Sequence, residues 1–472
     1  MSTHNVEQIT DMNVDFAQWY TDVVKKAELI DYTSAKGFII MRPYCYAIWE
    51  NIVAKLDGAF KVTGHENVLF PPLIPESLLQ KEKDHVVGFA PEVAWVTHGG
   101  SEELTERMCY RPTSEVLFCE HWAHMVQSWR DLPKLYNQWC TVVRWEKTTR
   151  PLLRGRELVW QEGHTIHATR DEAMQETLQM LDVYADMYEN LLAMPVVKGI
   201  KTEKEKFAGA VNTYTIECMM HDGQALQSGT THYFGDGFCK AFDITFSDRD
   251  NTLKHPHQTS WGLTTRSIGG MIMTHGDNNG LVLPPRVAPT QAVIIPIAMQ
   301  KEGVLDACQD LLKTLQTAGV RAKIDTDDRS PGWKFAEYEM KGIPLRIELG
   351  PRDLAVGNCV LARRDNGEKA TIKLADIATQ IPLMLEEIQQ SLYNKALANL
   401  TARTYTVNNL QEIDKSGFFL AHWCGERTCE DEVTKVAGVK SRCIPFEPID
   451  ADGKCIVCSK PSATRIYWAT QY

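Results

Sequence analysis

Val142-Val-Arg144-Trp-Glu146, followed after a short loop by Arg154-Gly-Arg-Glu-Leu-Val-Trp-Gln-Glu-Gly-His164, is the stretch whose reading decides the fold. An apolar run carries an arginine and a glutamate two residues apart. A connection rich in Lys, Thr, Arg and Pro follows, and a second run carries Trp160, Glu162 and His164. Side chains at i and i+2 project from one face of a strand. The pattern therefore predicts Arg144 and Glu146 on one strand face, and Trp160, Glu162 and His164 together on the next. A hairpin with a long basic connection can aim charge at a polyanion while its strands hold the site rigid. Taken alone, Arg and Glu at this spacing more often describe a solvated strand face.

The 472 residues are enough for two or three domains and a large core. Hydrophobic content of 44% and charged content of 24% are those of an ordinary globular protein. No run of 18 apolar residues occurs, which predicts no transmembrane helix and no membrane partner. The polar, partly acidic start Met1-Ser-Thr-His-Asn-Val-Glu-Gln fits neither a secretory signal nor a transit peptide, so a cytoplasmic location is expected. A net charge of −11 counts against a uniformly basic nucleic-acid binder but leaves room for a local basic face, for which Arg321 to Lys373 holds the lysines and arginines. Of thirteen cysteines, eight are scattered before residue 400 and read as small buried hydrophobes. Five fall in the last 49 residues and need a separate explanation.

Outward from the hairpin, apolar spacing predicts amphipathic helices over 15–30, 46–60 and 170–192. Strands are expected at 64–72, 108–110, 135–143, 157–167, 214–219 and 239–246. Strands joined by hairpins, with the helices set apart, indicate an α+β domain built on a largely antiparallel sheet. The proline-rich Leu283-Pro-Pro-Arg-Val-Ala-Pro289 marks a boundary. Beyond it the order strand 292–297, helix 304–315, strand 320–325, helix 333–341, strands 344–349 and 354–363 and helix 377–397 describes a small α/β domain with a mixed sheet. The expected domains are thus 1–286, 287–400 and 401–472.

Three further constellations carry polar chemistry. Thr113-Ser-Glu115 opens a helical run and suits either a helix cap or an ammonium-binding carboxylate. Gln227-Ser-Gly-Thr230-Thr-His232 is small, polar and Gly-containing, and reads either as a surface turn or as backbone that approaches a ligand. Gly262-Leu-Thr-Thr-Arg266 leads into apolar residues at helical spacing, so Arg266 stands near a helix start, a position suited to phosphate or a base. Neither a Walker A sequence nor a Gly-x-Gly-x-x-Gly after a strand is present, which excludes the common nucleotide loops.

With these motifs in order, the chain resembles the class II aminoacyl-tRNA synthetases, and among them the prolyl-tRNA synthetases of archaeal and eukaryotic type. Helix 46–60 with the strand ending at Pro71 resembles motif 1, the dimerisation element. Arg144-Trp-Glu146 through His164 resembles motif 2, and Gly262–Arg266 motif 3. The resemblance spans almost the whole chain. It implies activation of proline with ATP to an adenylate and pyrophosphate, then transfer to the 3′ end of tRNA(Pro), by a homodimer.

The same resemblance implies residue roles. Arg144 and Arg266 would be catalytic. Arg144, Glu146, Arg154, Gly155, Leu158, Gln227, Thr230 and Arg266 would bind ATP and its Mg2+. Thr113, Glu115, Arg144, Trp160, Glu162, His164 and His232 would form the proline pocket. Leu158 stands where many relatives place an aromatic residue on adenine. Gln227 stands where class II enzymes often place a metal-binding acid, so Mg2+ would be held mainly by ATP. The substrate carboxylate is itself the nucleophile, so positioning and electrostatics suffice.

The 122 residues from Arg144 to Arg266 leave no space for the hydrolytic insertion of many bacterial relatives, so cis editing is not expected. Region 287–400 resembles the class IIa anticodon-binding domain, with Arg329, Lys334, Glu337, Glu348 and Arg352 as candidate readers of single-stranded bases. Cys424-x4-Cys429 with Cys455-x2-Cys458 fits a four-thiolate structural zinc site and resembles the subfamily's C-terminal zinc module. Tyr472 matches its terminal tyrosine, which packs near the active site. Two other readings stand beside this one. One is a class II synthetase of another specificity, such as threonine, serine or glycine, of which a threonine enzyme would use zinc inside the amino-acid pocket. A non-catalytic paralogue would tend to lose the ATP arginines, whereas Arg144, Arg154 and Arg266 are all present.

Overall fold

The structure is a computed structural model and describes residues 9–81, 93–414, 416–446 and 452–472. The polar N-terminal stretch used above for localisation lies outside the described residues. An eleven-stranded sheet runs through the molecule in the order Thr404–Thr406, Phe418–His422, Arg465–Ala469, Lys440–Pro445, Val197–Ile200, Asn212–Met219, Ala225–Gly235, His257–Thr264, Glu157–His167, Lys134–Val143 and Glu66–Asn67. Its neighbours are antiparallel except at the two edges, where Thr404–Thr406 and Glu66–Asn67 pair in parallel. The hairpin that opened the sequence reading is present. Lys134–Val143 pairs with Glu157–His167 from Lys134↔Ile166 to Val143↔Glu157.

One face of this sheet is apolar and carries the helices. Tyr214, Ile216, Cys218, Leu226, Trp261 and Leu263 share a core with residues of the helices Phe16–Lys26, Pro43–Val62, Arg170–Asp186 and Arg266–His275. The alternating residues look the other way. Trp160, Glu162, His164, Thr213, Gln227, His232, Ser260 and Gly262 line a cavity, so strand alternation sorts core from site. The register has little freedom at Gly163, which pairs with Trp261. A Cβ there would fall 2.1 Å from the Trp261 ring.

Several expectations are corrected. Region 239–246 is not a strand. Residues Gly237–Ala241 form a short helix, with Phe238, Cys239 and Phe242 buried on its inner side, and only Phe246–Ser247 pairs. The segment read as a possible surface turn around Gln227–His232 lies inside the strand Ala225–Gly235, and a second strand, His257–Thr264, precedes Arg266. The first helix stops at Lys26, Asp15 serving as its cap, so Ile30 begins a separate strand. The helix from Arg170 is α-helical to Asp186 and widens into a π-turn over Met187–Leu191. In 64–72 only Glu66–Asn67 pairs, and in 354–363 a short helix Pro351–Ala355 precedes the strand Asn358–Arg363.

The second unit is the expected mixed sheet, ordered Ala322–Ile324, Ala292–Pro296, Leu345–Leu349, Asn358–Arg363 and Lys369–Lys373, the last of these strands not foreseen. Helices Val304–Thr317 and Ile377–Ala402 close one face through Cys308, Leu311, Ile381 and Leu385. The C-terminal segment has its own core around Phe419, Trp423, Val433 and Trp468. Its strands nonetheless continue the catalytic sheet, through Ile444↔Ile200 and Pro445↔Gly199.

Beside that seam lies a buried charge cluster. Lys201 Nζ donates to Glu217 Oε1 at 2.7 Å, and Arg442 Nη2 and Nε donate to Oε2 at 2.7 and 3.0 Å. Arg442 also reaches the Gln471 side chain. The three charged side chains are at most 1% exposed. Removing one member of such a cluster strands the others without water. Glu217→Gln is therefore expected to lower the urea-unfolding free energy by about 3–5 kcal/mol. A change within about 0.5 kcal/mol would show that the cluster does not hold the seam.

Candidate active site

Two carboxylates anchor the cavity, Glu115 at the start of a helix and Glu162 within the strand Glu157–His167. Glu115 is the first residue of the helix Glu115–Met125 and is 2% exposed. It accepts from Thr113 Oγ1 on Oε2 and from Ser260 Oγ at 3.2 Å on Oε1. The capping alternative for Thr113-Ser114 is not realised, because Ser114, although in the cap position, makes no side-chain cap bond. Its hydroxyl goes instead to Glu162 Oε1 and its N–H to Oε2 at 3.2 Å.

Glu162 collects more partners still. Gln138 Nε2 donates at 2.6 Å, His164 Nε2 lies at 3.0 Å, and the Cys140 thiol is at 3.5 Å. Trp160 Nε1 donates to that same thiol at 3.2 Å. Burial pushes the Glu162 carboxyl up. The hydrogen bonds from His164, Ser114 and Gln138, with the His164 charge, outweigh it and bring it down to about 2. Glu162 is therefore a saturated anchor that fixes the Thr113–Glu115 loop and His164, and it has little capacity left to bind a ligand directly. His164 also stacks against Phe118, with ring centroids 4.2 Å apart.

Arg144 does not sit on the strand as the sequence suggested. The strand ends at Val143, and Arg144 N–H closes the hairpin on the Arg156 carbonyl at 2.8 Å. Its Nε donates to the Pro112 carbonyl at 3.0 Å and its guanidinium lies 5.3 Å from the Trp160 ring, so it is held at the cavity mouth. The Glu146 N–H bonds the Arg144 carbonyl at 2.7 Å, turning the chain, and its carboxylate lies 3.6 Å from Arg154. The basic connection is pinned at its tip. Leu152 and Leu153 are buried in the main core, and the Pro151 carbonyl accepts from Tyr20 Oη at 2.7 Å. Arg150 and Arg154 are thus presented from a fixed turn.

Arg266 is the first residue of its helix, as expected, and donates to the Leu153 and Gln227 carbonyls at 3.1 and 3.4 Å. Desolvation, Arg154 and Arg144 lower its pKa, so three cations converge on one region. Leu158 and Thr230 line the same cavity, and Gly155 joins Arg154 and Leu158 in a small adjoining cleft. His232 is brought down to about 3 by burial and by the charges of His164 and Arg144. It is neutral near pH 7, with Nδ1 3.0 Å from Thr213 Oγ1. Every proline- and ATP-site residue named from sequence meets here, except that Glu146, Arg154 and Gly155 stand just outside this cavity of about 190 Å3. The sequence reading missed Ser114, Gln138, Cys140, Thr213 and Ser260, which alternate correctly along their strands or flank Glu115. It also missed Glu205 and Phe207, which no periodicity marks.

The tRNA synthetase class II core domain (G, H, P, S and T) matches residues 95–275, the anticodon binding domain 291–382, and the prolyl-tRNA synthetase C-terminal domain 409–472. A "Proline--tRNA ligase" of Ruminiclostridium cellulolyticum is 59% identical, covering 99% of this chain and 98% of its own. A "Proline--tRNA ligase 2" of Bacillus cereus is 58% identical and covers 100% of both chains. That of Clostridium novyi is 58% identical over 99% and 98%. The chain belongs to the prolyl-tRNA synthetase family. Arg144 and Arg266 both lie within the span matched by the class II core domain.

In the anticodon binding domain the five residues named from sequence differ in availability. Arg329 is exposed, with its guanidinium 3.4 Å over the Trp333 ring and bonded to Asp327. Arg352 is exposed. Lys334 is 2% exposed, and its ammonium is spent on the Asp325 and Asp327 carbonyls at 3.0 and 2.6 Å. It also lies 3.2 Å from Asp325 Oδ1, so in this structure its ammonium is engaged within the loop. Glu337 pairs with Lys341, while Glu348 accepts from Arg346 and Lys369. Phe335, with Arg346 4.0 Å over its ring, was not foreseen.

In the C-terminal domain the four cysteine sulfurs gather. Cys424, Cys429, Cys455 and Cys458 lie within 4.8 Å of one another, with Cys424 and Cys458 3.7 Å apart. Four thiolates about 2.3 Å from a tetrahedral zinc stand about 3.8 Å apart, so the donor set and spacing fit that ion. Among the described residues it is the one such group of metal-ligating side chains.

The depressed Glu162 carboxyl carries a signed consequence. A carboxyl lowered on folding stabilises the fold fully above its ordinary value of 4.5, and that contribution is lost as pH falls towards about 2. In Glu162→Gln this contribution is missing at every pH. Urea unfolding should show the parent more stable by on the order of 3 kcal/mol at pH 6, with the gap narrowing steadily below pH 5. A gap independent of pH would mean that Glu162 is not held ionised by this network.

Proposed function

We propose that this family member is a proline–tRNA ligase. It activates proline with ATP to prolyl-adenylate and pyrophosphate, then transfers proline to the 3′ end of tRNA(Pro). The single observation that carries this reading is the Thr113–Glu115–Ser260 carboxylate site set against Arg144 in one buried cavity. A small secondary ammonium and a carboxylate need that charge arrangement.

Glu115 and Thr113 bind the proline ammonium by charge-assisted hydrogen bonding. Trp160, His164 and His232 wall the pyrrolidine ring, with Glu162 fixing His164, Thr213 bonding His232 and the Cys140 thiol accepting from Trp160. The proline carboxylate attacks the α-phosphorus as the bond to the bridging oxygen breaks, and pyrophosphate leaves with that electron pair. Arg144 neutralises the charge that grows on the α-phosphate. Glu146 accepts from the adenine amino group, Leu158 packs against the base, and Arg154 and Arg266 hold the outer phosphates with Gln227, Thr230 and Gly155 around them. The neutral Gln227 oxygen would be a weak ligand for Mg2+ carried in by ATP, which would supply charge screening of the phosphates. Neutral His232 is not needed as a base, because the nucleophile is already ionised.

Zinc held by Cys424, Cys429, Cys455 and Cys458 would crosslink the C-terminal domain. Arg329, Glu337, Glu348 and Arg352 of 287–400 read anticodon bases, and two copies pair through the region from residue 46 to Pro71, in the cytoplasm. Between Arg144 and Arg266 the longest stretches outside a helix or strand are the 145–156 connection and 201–211, too short for a further domain of on the order of 100 residues, so we infer no cis hydrolysis of Ala-tRNA.

Pyrophosphate exchange measured with each amino acid should proceed with proline. Arg144→Gln should lower its kcat about a hundred- to a thousand-fold. Exchange with none would favour a non-catalytic paralogue, and exchange with threonine, serine or glycine another specificity. Elemental analysis of the purified chain should give about one zinc per chain, lost in a Cys455→Ser/Cys458→Ser variant. Equal metal content in both would remove zinc from the account.

A further inference from the structure

The turn that carries Arg150 and Arg154 holds a conformation its own sequence does not favour. Leu152, at its tip, has φ +62°, in the left-handed region that a bulky side chain rarely adopts. Such a backbone persists only where its surroundings hold it. A connection rich in Lys, Thr, Arg and Pro would ordinarily lie on the surface. This one instead turns its tip inward, with Leu152 and Leu153 buried in the core beneath the sheet. The turn also closes on itself. Arg150 N–H donates to the Arg154 carbonyl at 2.7 Å, and Arg154 N–H returns to the Arg150 carbonyl at 2.9 Å.

Two helices far apart in sequence form the socket for this tip. Helix Phe16–Lys26 supplies Tyr20, fully buried, whose Oη donates to the Pro151 carbonyl at 2.7 Å. Burial pushes the phenol pKa well above its ordinary value, so the hydroxyl stays a donor. Helix Arg266–His275 supplies Arg266, whose Nε donates to the Leu153 carbonyl at 3.1 Å, and also Gly269. A Cβ at Gly269 would fall 2.6 Å from Leu153 Cδ2 and 3.0 Å from Tyr20 Oη. The glycine is thus the gap into which both side chains fit. The first helix also holds the chain just past the second, Trp19 Nε1 donating to the Asp277 carbonyl at 2.9 Å.

We propose that Tyr20, seated against Gly269, is a positioning residue for ATP: by tying Pro151 to the N-terminal helix it fixes Arg154 relative to Arg266. The proposal rests on the ATP-binding roles given above to those two arginines. Tyr20 acts through the turn, since no residue of helix Phe16–Lys26 lines the cavity or its small adjoining cleft. An arginine on a free loop has to be ordered when its ligand arrives, at a cost in affinity. On this turn the ordering is complete on folding, and the Tyr20 hydroxyl is one of the bonds that hold it. The proline pocket is braced separately, through the bonds of Ser114, Gln138 and His164 to Glu162. Loosening the turn therefore acts on ATP and not on proline.

The test is Tyr20→Phe in the full-length protein, which removes one hydroxyl and keeps the ring. In pyrophosphate exchange the KM for ATP should rise about three- to tenfold, while the KM for proline stays within about twofold of the parent. Tyr44→Phe removes a bond of the same kind elsewhere, from Tyr44 Oη to the Lys341 carbonyl at 2.9 Å, and should leave the KM for ATP unaltered. The proposal is overturned if Tyr20→Phe keeps the KM for ATP within about twofold of the parent, if the KM for proline rises as much, or if Tyr44→Phe has an equal effect. Calorimetric titration of ATP into parent and Tyr20→Phe needs no turnover and should give the same ratio of affinities. A parent that exchanges no pyrophosphate with proline fails the proline-activating reading, whereas equal ATP affinities of parent and variant fail this proposal, so the two failures are told apart.

Discussion

The site depends on keeping one carboxylate ionised in the middle of a buried sheet. Glu162 lies between two strands and a loop, and each sends it a hydrogen bond: Gln138 and Cys140 from one strand, His164 from its own, Ser114 from the loop. A buried charge without such partners would cost several kcal/mol or take up a proton. With them it becomes a fixed point. The loop cannot move without breaking its bonds to Glu162, so Glu115 and Thr113 are held against Ser260 and the cavity keeps its shape before any ligand arrives. Preorganisation of this kind is what a reaction driven by positioning requires.

A second constraint joins the C-terminal domain to the catalytic sheet. The seam at Ile444↔Ile200 is flanked by the Lys201–Glu217–Arg442 cluster, and Arg442 also touches Gln471 in the tail. The tail in turn lines a cleft with Arg154 and Arg266 and faces Arg150. The domain that carries the four gathered cysteines is therefore mechanically part of the active-site region. This continuity was invisible in the sequence, because a short strand such as Val197–Ile200 announces neither its existence nor its partner.

What the sequence made legible, and what it hid, follow from which face a residue occupies. The hairpin 134–167 was readable because its strands are long and carry apolar residues at regular positions. Ala225–Gly235 and His257–Thr264 were not, because the residues that face the cavity, Gln227, Thr230, His232, Ser260 and Gly262, are small or polar and imitate a loop. The functional face thus erased the strand signal that its apolar side would have given. Arg144 was placed one step too far into the strand, since pairing stops at Val143 and nothing local marks that end. Lys334 looked like a surface cation because an ammonium bound by two backbone carbonyls has no sequence signature. The gathered cysteines and the helix-starting Arg266 were read correctly, since their spacing carries the chemistry directly.

The central claim is that Glu115 and Thr113 receive the proline ammonium while Glu162 only braces the pocket. A crystal structure of the chain bound to a non-hydrolysable sulfamoyl analogue of prolyl-adenylate tests it most directly. The expected result is the pyrrolidine nitrogen within hydrogen-bonding distance of Glu115 and Thr113, Arg144 on the sulfamoyl group that replaces the phosphate, and Glu162 still bonded to Ser114, Gln138 and His164. A pyrrolidine nitrogen bound by Glu162, with Ser114 or His164 released from it, would contradict the account.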